Sequence, residues 1–141
     1  MYEELNYNIE TCAYDDDVSE NTWSDNVCDY TCEYLLKFKQ EDWEKLLKDL
    51  PSKSTMWKKR FIDCLGDVEN KNELKALLIM ANTDDLELFT FAISNLSAYD
   101  LDDVQDIDYL FEKAEKMMPE IEDYYKPYFA QFLEKKKTVS K

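Results

Sequence analysis

The sequence contains no histidine, only one glycine and only three prolines in 141 residues. Without histidine, His-dependent acid–base catalysis, Ser–His and Cys–His nucleophilic pairs and the usual His-containing zinc sites are excluded. The scarcity of glycine and proline argues against an all-β domain with many tight turns. It also argues against a nucleotide-binding loop, because Gly66 stands alone. A catalytic or metal site would have to be built from carboxylates or cysteines.

Positive charge is absent from residues 1–36. Over the whole chain, 32 acidic side chains oppose 17 basic ones, which gives a net charge of -15. This charge disfavours direct binding of nucleic acids or anionic membranes, and it favours a basic partner. High solubility is the alternative explanation. Hydrophobic residues still make up 45% of the chain, so there is enough apolar material for a core.

We also expect no targeting or membrane segment. Residues 1–10 are acidic and lack the basic and apolar regions of a signal peptide. The longest apolar run, residues 76–81, is far too short to span a bilayer. The chain is therefore expected to be cytoplasmic, and its four cysteines are expected to be reduced thiols.

The cysteines are Cys12, Cys28, Cys32 and Cys64. Together they could form a four-thiolate metal site, but Cys28 and Cys32 lack the tight Cys-x-x-Cys spacing that preorganises such sites. Buried thiols acting as small core residues are the expected alternative. We predict no metal and no other cofactor.

Helical periodicity begins near Val27. The apolar spacing predicts helices over residues 27–38, 40–50, 54–65, 73–81, 84–96, 103–118 and 120–137. Residues 1–26 are predicted to be irregular or partly extended. The sequence therefore predicts an all-α single domain over residues 1–141, with an irregular acidic N-terminal segment (1–26) followed by helical repeats (27–137).

Local signals mark several helix ends. Ser54, and Asn70 or Asn72, are candidate N-caps for their helices. Gly66 is the predicted stop after the helix that carries Trp57, and Pro127 is predicted to kink the last helix.

The helices recur along the chain with a period. Apolar residues pair at a constant offset of 31 residues, as in Leu46 with Leu77, Trp57 with Leu88, Ile62 with Ile93, and Leu65 with Leu96. A period in this range is typical of stacked helix pairs, with a plain helical bundle as the alternative. The predicted core consists of Trp57, Phe61, Leu65, Leu77, Leu88, Ile93 and Leu96.

Acidic side chains interleaved with aromatic ones form the candidate functional site. Interfaces gain most from aromatic anchors within a polar rim, and charge of one sign steers an oppositely charged partner. Two regions have this pattern, residues 1–34 and 99–128. The predicted contact residues are Asp15, Asp16, Asp17, Trp23, Tyr99, Asp100, Asp102, Asp103, Asp106, Asp108, Tyr109, Tyr124 and Tyr125. The aspartates could also bind a hard cation, but neither run matches an EF-hand loop.

Residues 61–96 resemble a HEAT-like helical repeat. The segments that carry the resemblance are Cys64-Leu65-Gly66-Asp67, Asn72-Glu73-Leu74-Lys75-Ala76-Leu77-Leu78 and Thr83-Asp84-Asp85-Leu86-Glu87-Leu88. In that family a helix ending in a Leu-Gly turn precedes a second helix and an Asp-containing linker. The resemblance implies an array of antiparallel helix pairs. The sequence departs from the family at residues 87–89, where an arginine followed by small residues is common.

A small, acidic, histidine-free chain of this kind also resembles the immunity proteins of bacterial polymorphic-toxin and contact-dependent inhibition systems. Such proteins bind and block a cognate toxin domain, often a basic nuclease. The resemblance implies a non-enzymatic inhibitor with a basic protein partner. Two other functions stay open at this point: a phage-type nucleic-acid mimic that blocks a host defence nuclease, and a carboxylate-dependent metal enzyme.

Overall fold

A computed structural model of the chain describes the backbone of residues 1–14 and 28–136 and the side chains of residues 1–10 and 31–136. All regular structure in these ranges is helical, which confirms the predicted all-α class. The α-helices are α1 (Tyr2–Tyr14), α2 (Cys28–Leu36), α3 (Gln40–Asp49), α4 (Thr55–Ile62), α5 (Lys71–Ala81), α6 (Leu86–Leu96), α7 (Asp108–Met117) and α8 (Lys126–Glu134). Short 3₁₀ turns occur at Leu50–Ser52 and Asp123–Tyr125.

The chain divides into two compact units, Met1–Gly66 and Asp67–Lys141. In the first unit α1 packs against α2, α3 and α4. In the second unit α5 packs on α6, and α8 packs on both α6 and α7. The organisation of the two units as a single domain stays a prediction.

The prediction of an irregular N-terminal segment is wrong for Tyr2–Tyr14, which forms α1. Tyr2, Leu5 and Ile9 recur at the spacing of one helix face, and all three are buried. Glu3 and Glu4 lie in the first turn, where negative charge stabilises the helix dipole. Because α1 contacts the other three helices of its unit, it is the central element of that unit.

Helix starts follow the local signals in the sequence. The Ser54 hydroxyl accepts a hydrogen bond from the Trp57 N–H at 3.1 Å, so Ser54 is the N-cap of α4. Asn70 caps α5 by accepting from the Asn72 N–H at 2.9 Å. Both caps agree with the sequence, because capping depends only on residues within one turn.

Several helix boundaries differ from the predictions; the last helix, for example, begins at Lys126 and not at residue 120. Gly66 is not a C-terminal stop, because α4 already ends at Ile62 and the glycine does not adopt a positive φ. Pro127 does not kink α8; it lies in the first turn, where a proline removes no helical hydrogen bond. Helix α7 begins at Asp108 and not at Asp103, because Asp106 has a left-handed φ of 58° that no helix can contain.

The predicted core and the helix starts follow the repeat pattern. All seven predicted core residues are buried, with at most 8% of the side chain exposed. Helices α3 and α5 start 31 residues apart, as do α4 and α6, at Gln40 and Lys71 and at Thr55 and Leu86. The same offset therefore appears in sequence and in secondary structure. The antiparallel HEAT-like stacking of these pairs stays a prediction.

Candidate protein-binding surface

Five of the predicted contact residues lie in one loop and its junction with the next helix. We call residues 100–108, between α6 and the start of α7, the acidic loop. Its buried side chains Leu101 and Ile107 anchor it to the second unit. The exposed side chains that it presents to solvent are Asp100, Asp102, Asp103, Asp106 and Asp108. Because the anchors are buried, packing constrains the backbone that carries these carboxylates.

Local hydrogen bonds shape the acidic loop further. The Asp100 carboxylate accepts from the Asp102 N–H at 2.9 Å, and the Val104 N–H donates to the Leu101 carbonyl at 3.0 Å. Asp106 adopts a φ of 58°, a conformation that aspartate tolerates better than most residues. The loop is thus built from residues with a known tolerance for tight turns.

The aspartates of the acidic loop form no ion pair within the described part of the chain, although Lys71 and Lys75 line the same groove as Asp100 and Asp103. No lysine or arginine described there lies within ion-pairing distance of the five aspartates. Nearby in sequence, the Lys113 ammonium donates to the Thr83 carbonyl and lies 4.6 Å from the centre of the Phe89 ring. Lys126 pairs with Asp123 at 2.9 Å. The loop therefore presents a local excess of negative charge.

Tyr99 does not belong to this surface, although it was predicted to. Its side chain is only 2% exposed, and its hydroxyl lies 3.5 Å from the Glu73 carboxylate. Burial, and then the charge of Glu73, raise the pKa of Tyr99. Tyr99 is a core residue that holds the start of the acidic loop, and it cannot serve as an exposed anchor.

Of the other predicted tyrosines, Tyr109 and Tyr124 are exposed and Tyr125 is half-buried. Tyr109 is 48% exposed on α7 and Tyr124 is 67% exposed. The Tyr124 ring lies edge-on to Tyr125 at 5.0 Å between centroids, and Tyr125 in turn contacts Phe91. The structure adds Tyr128, whose ring centroid is 5.9 Å from that of Tyr124. We call Tyr124, Tyr125 and Tyr128 the tyrosine cluster.

The tyrosine cluster has internal polar contacts as well. A hydrogen bond with Tyr124 raises the pKa of Tyr128 above its ordinary value. Sequence analysis had missed Tyr128, although its spacing from Tyr124 is the i, i+4 spacing of neighbouring side chains on a helix. Exposed aromatic rings that support one another are the type of residue that dominates protein–protein contacts.

A groove in the second unit includes part of the acidic loop. It has a volume of about 530 Å³ and is lined by Val68, Glu69, Asn70, Lys71, Leu74, Lys75, Leu78, Asp100, Asp103 and Val104. Asp100 and Asp103 are therefore brought together at one concave site. Sequence analysis predicted Leu74 and Leu78 as part of an apolar helix but did not predict a groove.

In the first acidic region, the predicted contact residues Asp15, Asp16, Asp17 and Trp23 lie outside the described residues. Within α1, Glu3 lies 3.8 Å from the Lys45 ammonium, and Glu10 lies 3.8 Å from that of Lys53. These acidic side chains have basic partners inside their own unit. They consequently leave less unneutralised charge than the acidic loop does.

In the described residues no group of three or more Cys, Asp or Glu side chains is arranged to hold a metal ion. None of the described helices combines the length and the apolar character that crossing a membrane requires. Comparison with protein-family models, curated protein sequences and solved structures finds no match to this chain.

Proposed function

We propose that this chain is an immunity-type inhibitor that binds a basic toxin domain and neutralises it by covering its active or nucleic-acid-binding surface. The observation that carries the proposal is the acidic loop, where five exposed aspartates lie on a segment anchored by buried residues and have no described basic partner. A nuclease domain is the partner that we favour, because a surface that binds phosphates is rich in lysine and arginine.

The two exposed features would act at different stages of binding. The acidic loop would steer the basic partner during encounter and so raise the association rate. The tyrosine cluster would supply desolvated contacts that must break before the partner leaves, and it would therefore set the lifetime of the complex. Catalysis by this chain is not needed for either step.

The direct test is co-expression with the product of the adjacent gene. We expect that product to be toxic alone and harmless when this chain is present. A loop variant, Asp102→Lys with Asp103→Lys, should rescue poorly when both proteins are expressed at low level. Asp106 is left unchanged in this variant because its backbone has a φ of 58°.

The matched control is Glu44→Lys with Asp84→Lys, which changes the net charge by the same amount at exposed positions outside the loop. The control should rescue like the parent chain. Persistent toxicity with the parent chain present would rule out the inhibitor function. If the loop variant and the control lose rescue equally, the inhibitor function still stands. The acidic loop would then have no special part in the mechanism.

A further inference from the structure

Helix α5 has a second apolar stripe in addition to its core face. The core face consists of Ala76, Leu77 and Met80, which are buried. Leu74 and Leu78 lie off that face, are only half-buried, and line the groove. Together with Lys71 and Lys75 they follow the i, i+3, i+4, i+7 spacing of a single helix face. This face therefore offers two leucines and the aliphatic stems of two lysines to the groove.

The rest of the groove adds apolar surface and negative charge. Val68 is 46% exposed, and Val104 of the acidic loop is half-buried. Glu69, Asp100 and Asp103 supply three carboxylates against the two lysines of α5. An apolar lining with a few charged groups is the usual character of a binding site, and a volume near 530 Å³ is enough for a few side chains.

We infer that this groove takes up a short amphipathic segment of the basic partner, in which leucine-like side chains alternate with arginine or lysine. The inference rests on the proposed function for the nature of the partner. It adds a specific contact site, since the acidic loop alone would attract any positive surface.

The choice of a basic occupant follows from charge and shape. Arginine and lysine have apolar stems that fit against Leu74, Leu78 and Val104, while their charged ends can reach Asp100 or Asp103. Lys71 and Lys75 oppose such an occupant by like-charge repulsion. The lysines and the aspartates should therefore affect binding in opposite directions.

Three blocked hexapeptides are suitable probes. The first, acetyl-Gly-Leu-Arg-Leu-Arg-Gly-amide, has the proposed character. In the second, glutamate replaces arginine, and in the third, serine replaces leucine. Amide chemical shifts of the full chain, followed by NMR during titration, would report where each peptide binds and how tightly. We expect the first peptide to shift signals of residues 68–78 and 100–104, and the other two to bind at least several-fold more weakly.

Variants of the groove sharpen this test. Asp100→Asn and Asp103→Asn should each weaken binding of the first peptide by roughly two- to fivefold, the range for exposed charge pairs. Lys71→Gln with Lys75→Gln should tighten it by a similar factor. Val68→Ser and Leu78→Asn should weaken it, the second by on the order of tenfold because more apolar contact is lost. Asp84→Asn removes an exposed charge elsewhere in the unit and is the control.

Several results would overturn the inference. One is equal affinity for the arginine and glutamate peptides, or preference for the latter. Another is unchanged affinity of Val68→Ser, a substitution at an exposed position that should not disturb folding. The peptides contain no toxin, so their failure would leave the inhibitor function intact. If the chain binds the peptide but fails to rescue cells that co-express the toxin, the inhibitor function is wrong and the groove still binds a basic amphipathic segment.

Discussion

The acidic side chains of α1 and those of the acidic loop differ in what surrounds them. In α1, Glu3 and Glu10 each have a lysine of the same unit within 4 Å. In the acidic loop, the five aspartates have no such partner among the described residues. Exposed ion pairs contribute little to stability, but a paired charge also contributes less to the field that an approaching partner meets. Acidic composition alone therefore does not identify a binding surface.

Hydrogen bonds also join α1 to the rest of its unit. The Asn6 side-chain carbonyl accepts from the buried Trp57 indole N–H at 3.0 Å and from the Lys53 ammonium at 2.7 Å. The Tyr2 hydroxyl donates to the Asp49 carboxylate at 3.0 Å. Polar side chains of α1 are thus bound within their own unit, whereas the aspartates of the acidic loop form no ion pair among the described residues.

The largest effect should come from the buried face of α1. Leu5→Ala should lower the free energy of unfolding by about 2–5 kcal/mol, because Leu5 is fully buried. Tryptophan fluorescence during denaturant unfolding is the measurement, since all three tryptophans lie in the unit Met1–Gly66. Leu36→Ala, at a leucine that is 88% exposed, is the control and should change stability by less than about 0.5 kcal/mol. Equal effects of the two substitutions would mean that α1 is not a core element.

Removing the hydrogen bonds of Asn6 should lower the free energy of unfolding by less than Leu5→Ala does. Asn6→Ala leaves the Trp57 N–H without an acceptor in a buried position, which typically costs about 1–3 kcal/mol. The same unfolding experiment measures it. Asn6→Asp keeps an acceptor for both donors and should retain much of the stability. If Asn6→Asp loses as much stability as Asn6→Ala, hydrogen bonding by Asn6 is not the cause of the loss.

The tyrosine cluster should have its effect on the complex and not on folding. Tyr124→Ala removes an exposed ring and should shorten the lifetime of the complex about tenfold, the effect of a moderate interface anchor. Dissociation rates from surface plasmon resonance would show it, with thermal unfolding of the free chain unchanged. Tyr7→Ala, which removes an exposed tyrosine of α1, is the comparison and should leave the lifetime as it is.

The contribution of Asp42 to the stability of the unit Met1–Gly66 should depend on pH. Its carboxylate accepts from the Lys39 N–H at 3.0 Å and from the Tyr2 N–H at 3.3 Å. The Lys39 hydrogen bond is the main cause that lowers the pKa of Asp42 below its ordinary value of 3.8. Asp42→Ala should cost about 1 kcal/mol, as removal of a helix cap does.

The sign of the pH dependence follows from that pKa. Because the folded-state pKa is depressed, the stabilisation is complete above 3.8 and is lost as the pH falls through the folded value. The difference in unfolding free energy between the parent chain and Asp42→Ala should therefore shrink in acid. A difference that stays constant from about pH 7 to about pH 2 would contradict this explanation.

Sequence patterns predicted those parts of the fold that depend on near neighbours. The caps at Ser54 and Asn70 and the buried apolar faces of α4 to α6 follow from residues within one or two turns. The helix α1 could also have been found, because Tyr2, Leu5 and Ile9 have helical spacing. Its charge and its lack of lysine and arginine obscured that pattern.

Long-range packing explains what the sequence could not supply. Tyr99 and Tyr109 look alike in sequence, but Tyr99 is buried, and its hydroxyl lies 3.5 Å from Glu73, which is 26 residues away. The start of α7 depends on the left-handed backbone of Asp106, which no apolar pattern reveals. The groove requires Leu74 and Leu78 to lie beside Asp100 and Asp103, and only the tertiary structure brings them together.

The most direct measurement is the association rate with the adjacent gene's product as a function of salt concentration. Two variants with the same change in net charge should be compared: Asp102→Asn with Asp103→Asn in the acidic loop, and Glu3→Gln with Glu10→Gln in α1. Our account predicts slower association and a shallower dependence on salt for the loop variant, with the α1 variant close to the parent chain. Equal slowing of both variants, or slowing of the α1 variant alone, would contradict the assignment of the acidic loop as the surface that steers the partner.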